Sequence, residues 1–295
     1  MRRWIWRVVA IALAALPGAG LAQTDPLADL ARLKQSTNAG RLAALREILT
    51  ERKIPFEAQS FDGGRKDKPE KGTNLSVSFG SGPREIVVGA HYDAVMLKDG
   101  TLSHGMVDNG ASVITLVRLA EALRDKKLRH PVRLLFFDQE ELGLLGSQAY
   151  IASKKPGEIA AAINLDVNGY GDTAIYGRGQ GEASDPVVRS VERVCAESLL
   201  DCERFPVFPP GDDRSFEKAG IPNVSIAFVS AVEARQLWLL LNGGPEPGLR
   251  ESFVPLTLKT IHTPGDALDK IQPATLDLVE KTVLEVLLQV DASLD

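Results

Sequence analysis

The chain is poor in the residues that define several functional classes. It has two cysteines and four histidines in 295 residues, and its 34 Lys and Arg residues are outnumbered by 39 Asp and Glu residues. The formal charge of −5 argues against a nucleic-acid partner or an anionic membrane surface, because such partners require a concentrated excess of Lys and Arg. Two cysteines exclude a disulfide framework. With 44% hydrophobic and 25% charged residues, the composition is that of an ordinary globular protein.

Long hydrophobic runs are also scarce, and the longest one stands at the N-terminus. Three arginines precede the apolar run Val8–Leu16, and small residues surround Ala22. The run is too short to cross a hydrocarbon core of about 30 Å at about 1.5 Å per residue. We therefore interpret residues 1–22 as a secretory signal peptide cleaved after Ala22. This interpretation predicts a periplasmic or secreted protein that has no membrane attachment after cleavage.

Export changes the interpretation of the two cysteines. Cys195 and Cys202 lie seven positions apart at the end of a helical pattern. Disulfides persist in exported proteins, so we predict a local bridge between them rather than two free thiols. The same pair is a poor zinc site, because no further cysteine exists and the histidines lie elsewhere in the sequence.

Short apolar, β-branched runs alternate with helical patterns through residues 23–295. We predict strands at 75–79, 86–90, 132–137 and 161–165, and an extended segment at 54–60. Helical spacing indicates helices within 26–51, 109–126 and 143–153, and a last helix that begins at Pro273. This alternation predicts an α/β fold, a three-layer αβα sandwich with a mixed, largely parallel central sheet. No segment has the composition of a linker, so we expect residues 23–295 to form a single domain.

Polar side chains follow the predicted strands at the point where each strand ends. His91 and Asp93 follow the second strand, Glu140 and Glu141 follow the third, and Asp166 follows the fourth. Two more candidates, Asp108 before a helix and His262 before a Thr-Pro-Gly turn, come from other segments. Because loops at the carboxyl ends of parallel strands converge, we expect these residues to meet at one edge of the sheet.

Metal chemistry explains this set of residue types. Catalytic zinc binds imidazole nitrogen and carboxylate oxygen and keeps a position open for water. Two Zn²⁺ ions that share a bridging carboxylate need about five ligands, and the set supplies five: His91, Asp108, Glu141, Asp166 and His262. Glu140 is then left beside a ligand, where a general base would stand. Asp93 lies on the same side of the extended chain as His91 and can accept the other N–H of its imidazole.

The same residues carry a family resemblance. The strings Ala90-His-Tyr-Asp93, Val107-Asp-Asn-Gly-Ala111, Phe137-Asp-Gln-Glu-Glu-Leu-Gly143, Asn164-Leu-Asp-Val167 and Ile261-His-Thr-Pro264 resemble, in order and spacing, the secreted di-zinc aminopeptidases (metallopeptidase family twenty-eight). That family includes bacterial leucyl aminopeptidase and, more distantly, glutamate carboxypeptidase, glutaminyl cyclase and the transferrin receptor. The resemblance extends over about residues 72–290.

The resemblance implies a role for each of these residues. It implies His91 and Asp166 on one zinc, Glu141 and His262 on the other, Asp108 bridging the two, and Glu140 as general base. It also implies a cis peptide bond between Asp108 and Asn109.

The implied activity is that of a zinc exopeptidase, an aminopeptidase that removes N-terminal residues from peptides with a free N-terminus. We expect the chain to act as a monomer. Two alternatives stay open. One is another reaction on the same scaffold, either carboxypeptidase action or glutaminyl cyclisation, although cyclisation typically needs one zinc. The other is a non-catalytic binding protein, as in the transferrin receptor branch.

The sequence leaves the roles of several residues near the expected site open. Arg214 stands where the family usually has histidine, and it either binds a substrate carboxylate or pairs with Asp213. The segment 232–253 is either a helical flap over the site or a core-packing helix and loop. Asp266 is a weak candidate for supporting His262, and the remaining histidines, His104 and His130, are predicted to be structural.

Overall fold

The computed structural model describes residues 25–177, 184–244 and 254–294. The signal peptide predicted at residues 1–22 lies outside the described residues. Within the described ranges, no helix combines the length and the apolar character needed to cross a membrane.

The described chain contains nine helices and eight strands. The helices are α1 (Pro26–Arg32), α2 (Asn38–Glu51), α3 (Ala111–Leu123), α4 (Leu145–Ala152), α5 (Asp185–Ser198), α6 (Asp213–Lys218), α7 (Ala231–Asn242), α8 (Leu256–Thr260) and α9 (Pro273–Ser293). The strands are β1 (Glu57–Arg65), β2 (Lys68–Phe79), β3 (Glu85–His91), β4 (Val132–Phe137), β5 (Ile159–Leu165), β6 (Thr173–Gly177), β7 (Cys202–Phe205) and β8 (Asn223–Val229). A single π turn at Met106–Gly110 leads into α3, and a short 3₁₀ helix spans Leu268–Lys270.

The strands form one mixed sheet in the order β1-β2-β4-β3-β5-β8-β6-β7. Its four central strands, β4, β3, β5 and β8, run parallel to one another. Antiparallel pairs join β2 to β4 on one side and β6 to β8 on the other. The predicted α/β fold with a mixed, largely parallel sheet is therefore confirmed.

Successive residues of the central strands enter two different cores, because side chains alternate across a sheet. In β3, Ile86 and Val88 join the large core formed with α1, α2, α3, α5 and α9, whereas Val87 joins a smaller core with residues of α4 and α6. Strand β4 alternates in the same way. The strands are apolar on both faces for this reason, and the helices of the two outer layers cover both faces.

The four predicted strands all lie within observed strands, but two predicted helices differ in extent. The pattern at 26–51 is interrupted between α1 and α2, where the Thr37 hydroxyl accepts a hydrogen bond from the Gly40 amide and caps the second helix. The pattern at 109–126 contains a helix of 13 residues, since its first positions belong to the π turn. The last helix does begin at Pro273.

Cys195 and Cys202 are joined by a disulfide, with Cα atoms 6.1 Å apart. The bridge links the last turns of α5 to the first residue of β7. It therefore ties an edge strand of the sheet to the helix that precedes it.

Candidate metal centre

The residues predicted for the site gather at the carboxyl ends of the central strands. His91 is the last residue of β3, Asp166 directly follows β5, and Glu140 and Glu141 follow β4. Asp108 enters from the π turn before α3, in which all five residues are buried. Because β3, β4 and β5 are adjacent and parallel, their carboxyl ends place these segments side by side.

Two groups of donor atoms share one carboxylate. Nε2 of His91 lies 3.2 Å from Oδ1 of Asp108 and 3.5 Å from Oδ1 of Asp166. Nε2 of His262 lies 3.1 Å from Oδ2 of Asp108 and 3.3 Å from Oε1 of Glu141. The donor atoms of each group lie within 4.8 Å of one another. Asp108 thus offers one oxygen to each group, which is the arrangement of a bridging carboxylate.

The chemistry of these atoms fits metal ions. Oε1 of Glu141 and Oδ1 of Asp166 are buried and have no hydrogen-bond partner among the described residues. A buried carboxylate oxygen without a partner is costly unless a cation compensates it. Imidazole nitrogen together with carboxylate oxygen is the donor set of catalytic zinc sites. The residues present therefore fit zinc, with two groups of candidate ligands.

Comparison with known proteins agrees with this geometry. A family model described as Peptidase family M28 matches residues 74–287, well over half of the chain. The chain belongs to peptidase family M28.

Its curated relatives carry peptidase names, and its structural neighbours include zinc aminopeptidases and a glutaminyl cyclase. A probable leucine aminopeptidase of Arthroderma otae is 27% identical over 209 residues, covering 67% of this chain and 51% of that protein. The zinc aminopeptidase from Bacillus subtilis superimposes with a TM-score of 0.58 at 22% identity, covering 74% of this chain and 50% of the other. Glutaminyl cyclase from Porphyromonas gingivalis superimposes with a TM-score of 0.69 at 20% identity, covering 89% of this chain and 96% of the other. The chain spans about half the length of the curated aminopeptidases it matches.

In this M28 chain, Asp93 holds the turn that carries Glu140 and Glu141. Its Oδ1 accepts a hydrogen bond from the Glu140 amide at 3.0 Å, and its Oδ2 accepts one from the Glu141 amide at 3.2 Å. Nδ1 of His91 lies 3.1 Å from the Asp93 carbonyl oxygen and 3.4 Å from its carboxylate. One buried carboxylate therefore positions three side chains of the site, whereas the sequence indicated only its contact with His91.

Asp266 holds the turn that carries Asp108. Its carboxylate is fully buried and accepts backbone hydrogen bonds from Met106 at 2.9 Å, Val107 at 2.6 Å and Asp108 at 3.2 Å. Asp266 was a weak candidate for supporting His262, but the structure places its hydrogen bonds on the π turn instead. Its pairing with a segment 158 residues away has no signal in the local sequence.

Arg41, a fully buried cation behind the site, was not predicted from the sequence. Its guanidinium donates hydrogen bonds to the carbonyl oxygens of Leu33, Tyr92, His104 and Gly105. Burial lowers the pKa of Arg41 to about 10, and Asp93, Asp266 and Asp108 oppose that change. Arg41 thus fixes the segments on both sides of the loop after β3 and offsets part of the negative charge of the carboxylates.

The electrostatics of the protein groups indicate a site that attracts cations. Among the protein groups alone, burial raises the pKa of Glu140 to about 9; His91 opposes this rise, and the neighbouring carboxylates of Asp166 and Asp212 contribute to it. The carboxylates of Asp108 and Glu141, which face its Nε2, raise the pKa of His262 to about 10. Burial raises the pKa of Asp108. The hydrogen bonds from His262 and His91 outweigh burial and hold that pKa below its ordinary value. Positive charge is thus stabilised between these carboxylates.

The backbone around the site departs from ordinary conformations. Gln139, Val167 and the candidate ligand His262 have φ values of 58°, 58° and 57°. Such values are rare for residues other than glycine and are least favourable for a β-branched residue such as Val167. The peptide bond between Asp108 and Asn109 is cis, as the resemblance implied. Each of these positions is a candidate ligand or lies within two residues of one.

The structure shows where Arg214 and the described part of the 232–253 segment lie. Arg214 pairs with Glu217 at 2.9 Å rather than with Asp213, and its side chain borders α4. The helical part of the 232–253 segment is α7, and Trp238 donates a hydrogen bond to the Arg204 carbonyl at 3.2 Å. This part packs on the β6–β7 end of the sheet, as expected of a core-packing helix. Phe253, the other aromatic residue of the segment, lies outside the described residues.

An apolar cavity adjoins the metal centre beside Asp166. Its walls come from β6, β8, α7, α8 and the loop before α6, and its apolar lining includes Ile175, Phe208, Val229, Leu237 and Ile261. The cavity has the character of a pocket for one hydrophobic side chain.

His130, which was predicted to be structural, does not line this cavity. Its Nδ1 lies 3.0 Å from Oδ1 of Asp291.

Proposed function

We propose that this chain is a zinc aminopeptidase with two co-catalytic Zn²⁺ ions. His91 and Asp166 would hold one ion, Glu141 and His262 the other, and Asp108 would bridge them. The observation that carries the proposal is the position of the Asp108 carboxylate, one oxygen of which faces each imidazole–carboxylate group. The aminopeptidase names of the relatives support the same activity.

When bound, the zinc ions supply Lewis acidity toward the scissile carbonyl and toward a water molecule. Glu140 is adjacent to a ligand and belongs to neither group of donor atoms, so its carboxylate is free to take a proton from that water and return it to the leaving amine. Asp93 holds Glu140 in place through the hydrogen bond to its backbone amide. His262, with 53% of its side chain exposed, leaves the site open to peptide from solvent.

The apolar cavity beside Asp166 suits the side chain of the N-terminal residue. It lies next to the candidate metal ligand, so a residue seated there has its own carbonyl at the metal centre. Burying a leucine-sized side chain contributes about 1.5–3 kcal/mol. We therefore expect leucine, isoleucine, methionine or phenylalanine to be preferred over charged N-terminal residues.

The first experiment compares Leu-Ala-Ala with its N-acetylated form, using the zinc-loaded mature chain with and without chelator and mass spectrometry of the products. We expect loss of leucine from the free peptide only, and no loss in chelator. A peptide with N-terminal glutamine belongs in the same assay, since loss of ammonia without chain cleavage would identify a glutaminyl cyclase. No change in any peptide despite bound zinc would favour a binding protein.

The second experiment replaces Glu140→Gln. Loss of a general base typically lowers kcat by about 10²–10⁴-fold, while zinc content should stay the same because Glu140 is not among the proposed ligands. Glu57→Gln is the matched control, since Glu57 is 80% exposed in β1. Turnover by Glu140→Gln above about one percent of the unchanged chain would remove Glu140 from this role.

A further inference from the structure

The outer half of the β1–β2 hairpin extends past the carboxyl end of β4, on the side of the metal centre. Strand β1 pairs with β2 along its whole length, but β2 pairs with β4 only through Leu75–Phe79. Leu75 lies opposite Phe136, near the carboxyl end of β4. The part of the hairpin formed by residues 61–72, which we name the β1–β2 arm, therefore projects past the point where the loop with Glu140 and Glu141 begins.

Hydrogen bonds tie this arm to that loop. The Gly64 amide donates to Oε1 of Gln139 at 2.7 Å, and the amide of Thr73, at the base of the arm, donates to Oδ2 of Asp138 at 2.8 Å. The Tyr92 hydroxyl donates to the Thr73 carbonyl at 2.9 Å. The arm is thus fixed against the residues that directly precede Glu140 and follow His91.

A cavity of about 440 Å³ lies between the β1–β2 arm, the start of α2 and the loop after β3. Asp93 and the candidate ligand Glu141 border it, and Arg65 and Lys68 of the arm line it as well. Val95, Met96 and Leu102 add apolar surface. The cavity therefore adjoins the Glu141 side of the metal centre, whereas the apolar pocket adjoins the Asp166 side.

The basic residues of the arm are placed as a pair. Arg65 and Lys68 lie opposite each other across the two-residue turn of the hairpin. Both are exposed, and neither forms an ion pair with another residue of the described chain. Lys71 of the same arm is instead paired with Asp62 at 2.5 Å. Glu70 also lines the cavity, so the arm contributes two positive charges and one negative charge to it.

We propose that this cavity binds the part of the peptide that follows the scissile bond, and that Arg65 and Lys68 bind a carboxylate on it. The proposal rests on the aminopeptidase function, because it assigns the second side of the same metal centre. If the N-terminal side chain occupies the pocket beside Asp166, the leaving peptide extends toward Glu141 and into this cavity. The carboxylate is the C-terminus of a short peptide or the side chain of Asp or Glu. The enzyme would accordingly favour short peptides with a free C-terminus, or acidic residues, after the cleaved bond.

The test measures kcat/KM for Leu-Ala-Ala and for its C-terminal amide, with Leu-p-nitroanilide as a substrate that has no carboxylate. We expect the free acid to be favoured over the amide by roughly fivefold, the scale of an exposed ion pair, and the preference to shrink at high salt. Arg65→Gln/Lys68→Gln should abolish the preference and leave Leu-p-nitroanilide turnover unchanged. Leu-Ala-Asp-amide distinguishes a side-chain carboxylate from a chain terminus, and adding one or two alanines reports the distance that the peptide spans.

The matched control is Lys66→Gln/Lys71→Gln. It also removes two positive charges from the β1–β2 arm, but at residues that do not line the cavity. Equal kcat/KM for acid and amide in the unchanged chain overturns the proposal, and so does an equal loss of preference in both double variants. Turnover of Leu-p-nitroanilide keeps this result separate from the aminopeptidase function. If Leu-p-nitroanilide is not cleaved at all, the result contradicts the proposed aminopeptidase function itself.

Discussion

Replacing Asp266 by Asn should weaken both the fold and the metal centre, although Asp266 is not among the proposed ligands. Its two carboxylate oxygens accept three backbone hydrogen bonds from the turn that carries Asp108. Asparagine has one acceptor oxygen. If that oxygen keeps the bonds from Met106 and Val107, the amide group faces the N–H of Asp108, and two donors then oppose each other.

The size of the effect follows from these contacts. A hydrogen bond to a charged group contributes about 1.5–3 kcal/mol, and a buried N–H without a partner costs about 1–3 kcal/mol. We expect the free energy of unfolding of the zinc-loaded protein to fall by about 2 kcal/mol. Because Asp108 is the proposed bridging ligand, zinc affinity should also fall, by about 10–100-fold.

The assay is urea unfolding together with competition for zinc by a chelator, both at pH 8. Burial raises the pKa of Asp266 to about 6, so its carboxylate is charged at that pH. Asp269→Asn is the control, because Asp269 lies three residues away with 71% of its side chain exposed. A variant Asp266→Asn whose unfolding free energy and zinc affinity equal those of Asp269→Asn would refute the reasoning.

Two further predictions concern pH and the disulfide. Burial raises the pKa of Asp213 to about 7, and Arg214 opposes this rise. The stabilising contribution of the Asp213 carboxyl group is therefore complete below about pH 4, the pKa of an unfolded aspartate, and is lost as pH rises through about 7. Relative to Asp213→Asn, the zinc-loaded protein should lose up to about 1.4 kcal/mol of unfolding free energy per pH unit between pH 5 and 7, and parallel curves would contradict this. Removing the bridge with Cys195→Ala/Cys202→Ala should lower the unfolding free energy by about 2.5 kcal/mol, from the entropy of the small loop it closes, without changing kcat/KM. A change in kcat/KM would show that the edge strand acts on the site.

Local patterns predicted the central part of the fold because it is buried on both sides. Strands β3, β4 and β5 are short apolar runs, and that pattern is visible in the sequence without knowledge of their neighbours. The same patterns missed β6, β7 and β8, although β8 is buried along its whole length, and they missed the long reach of β1 and β2. The outer half of that hairpin is exposed and polar, and its pairing depends on contacts between strands rather than on hydrophobic periodicity.

The sequence by itself determined which kind of chemistry the chain carries. The order and spacing of His91, Asp108, Glu141, Asp166 and His262 place donor atoms at strand ends and turns, and strand topology then brings those ends together.

Only the tertiary structure decided how these side chains are held and what surrounds them. The supports Asp266 and Arg41 act through backbone atoms of segments distant in the chain, and backbone groups of that kind carry no residue-specific signal. The cavity lined by Arg65 and Glu141 exists because a hairpin projects past the end of β4. Packing of remote segments, rather than local composition, therefore sets the shape and charge of the cavity beside the candidate metal centre.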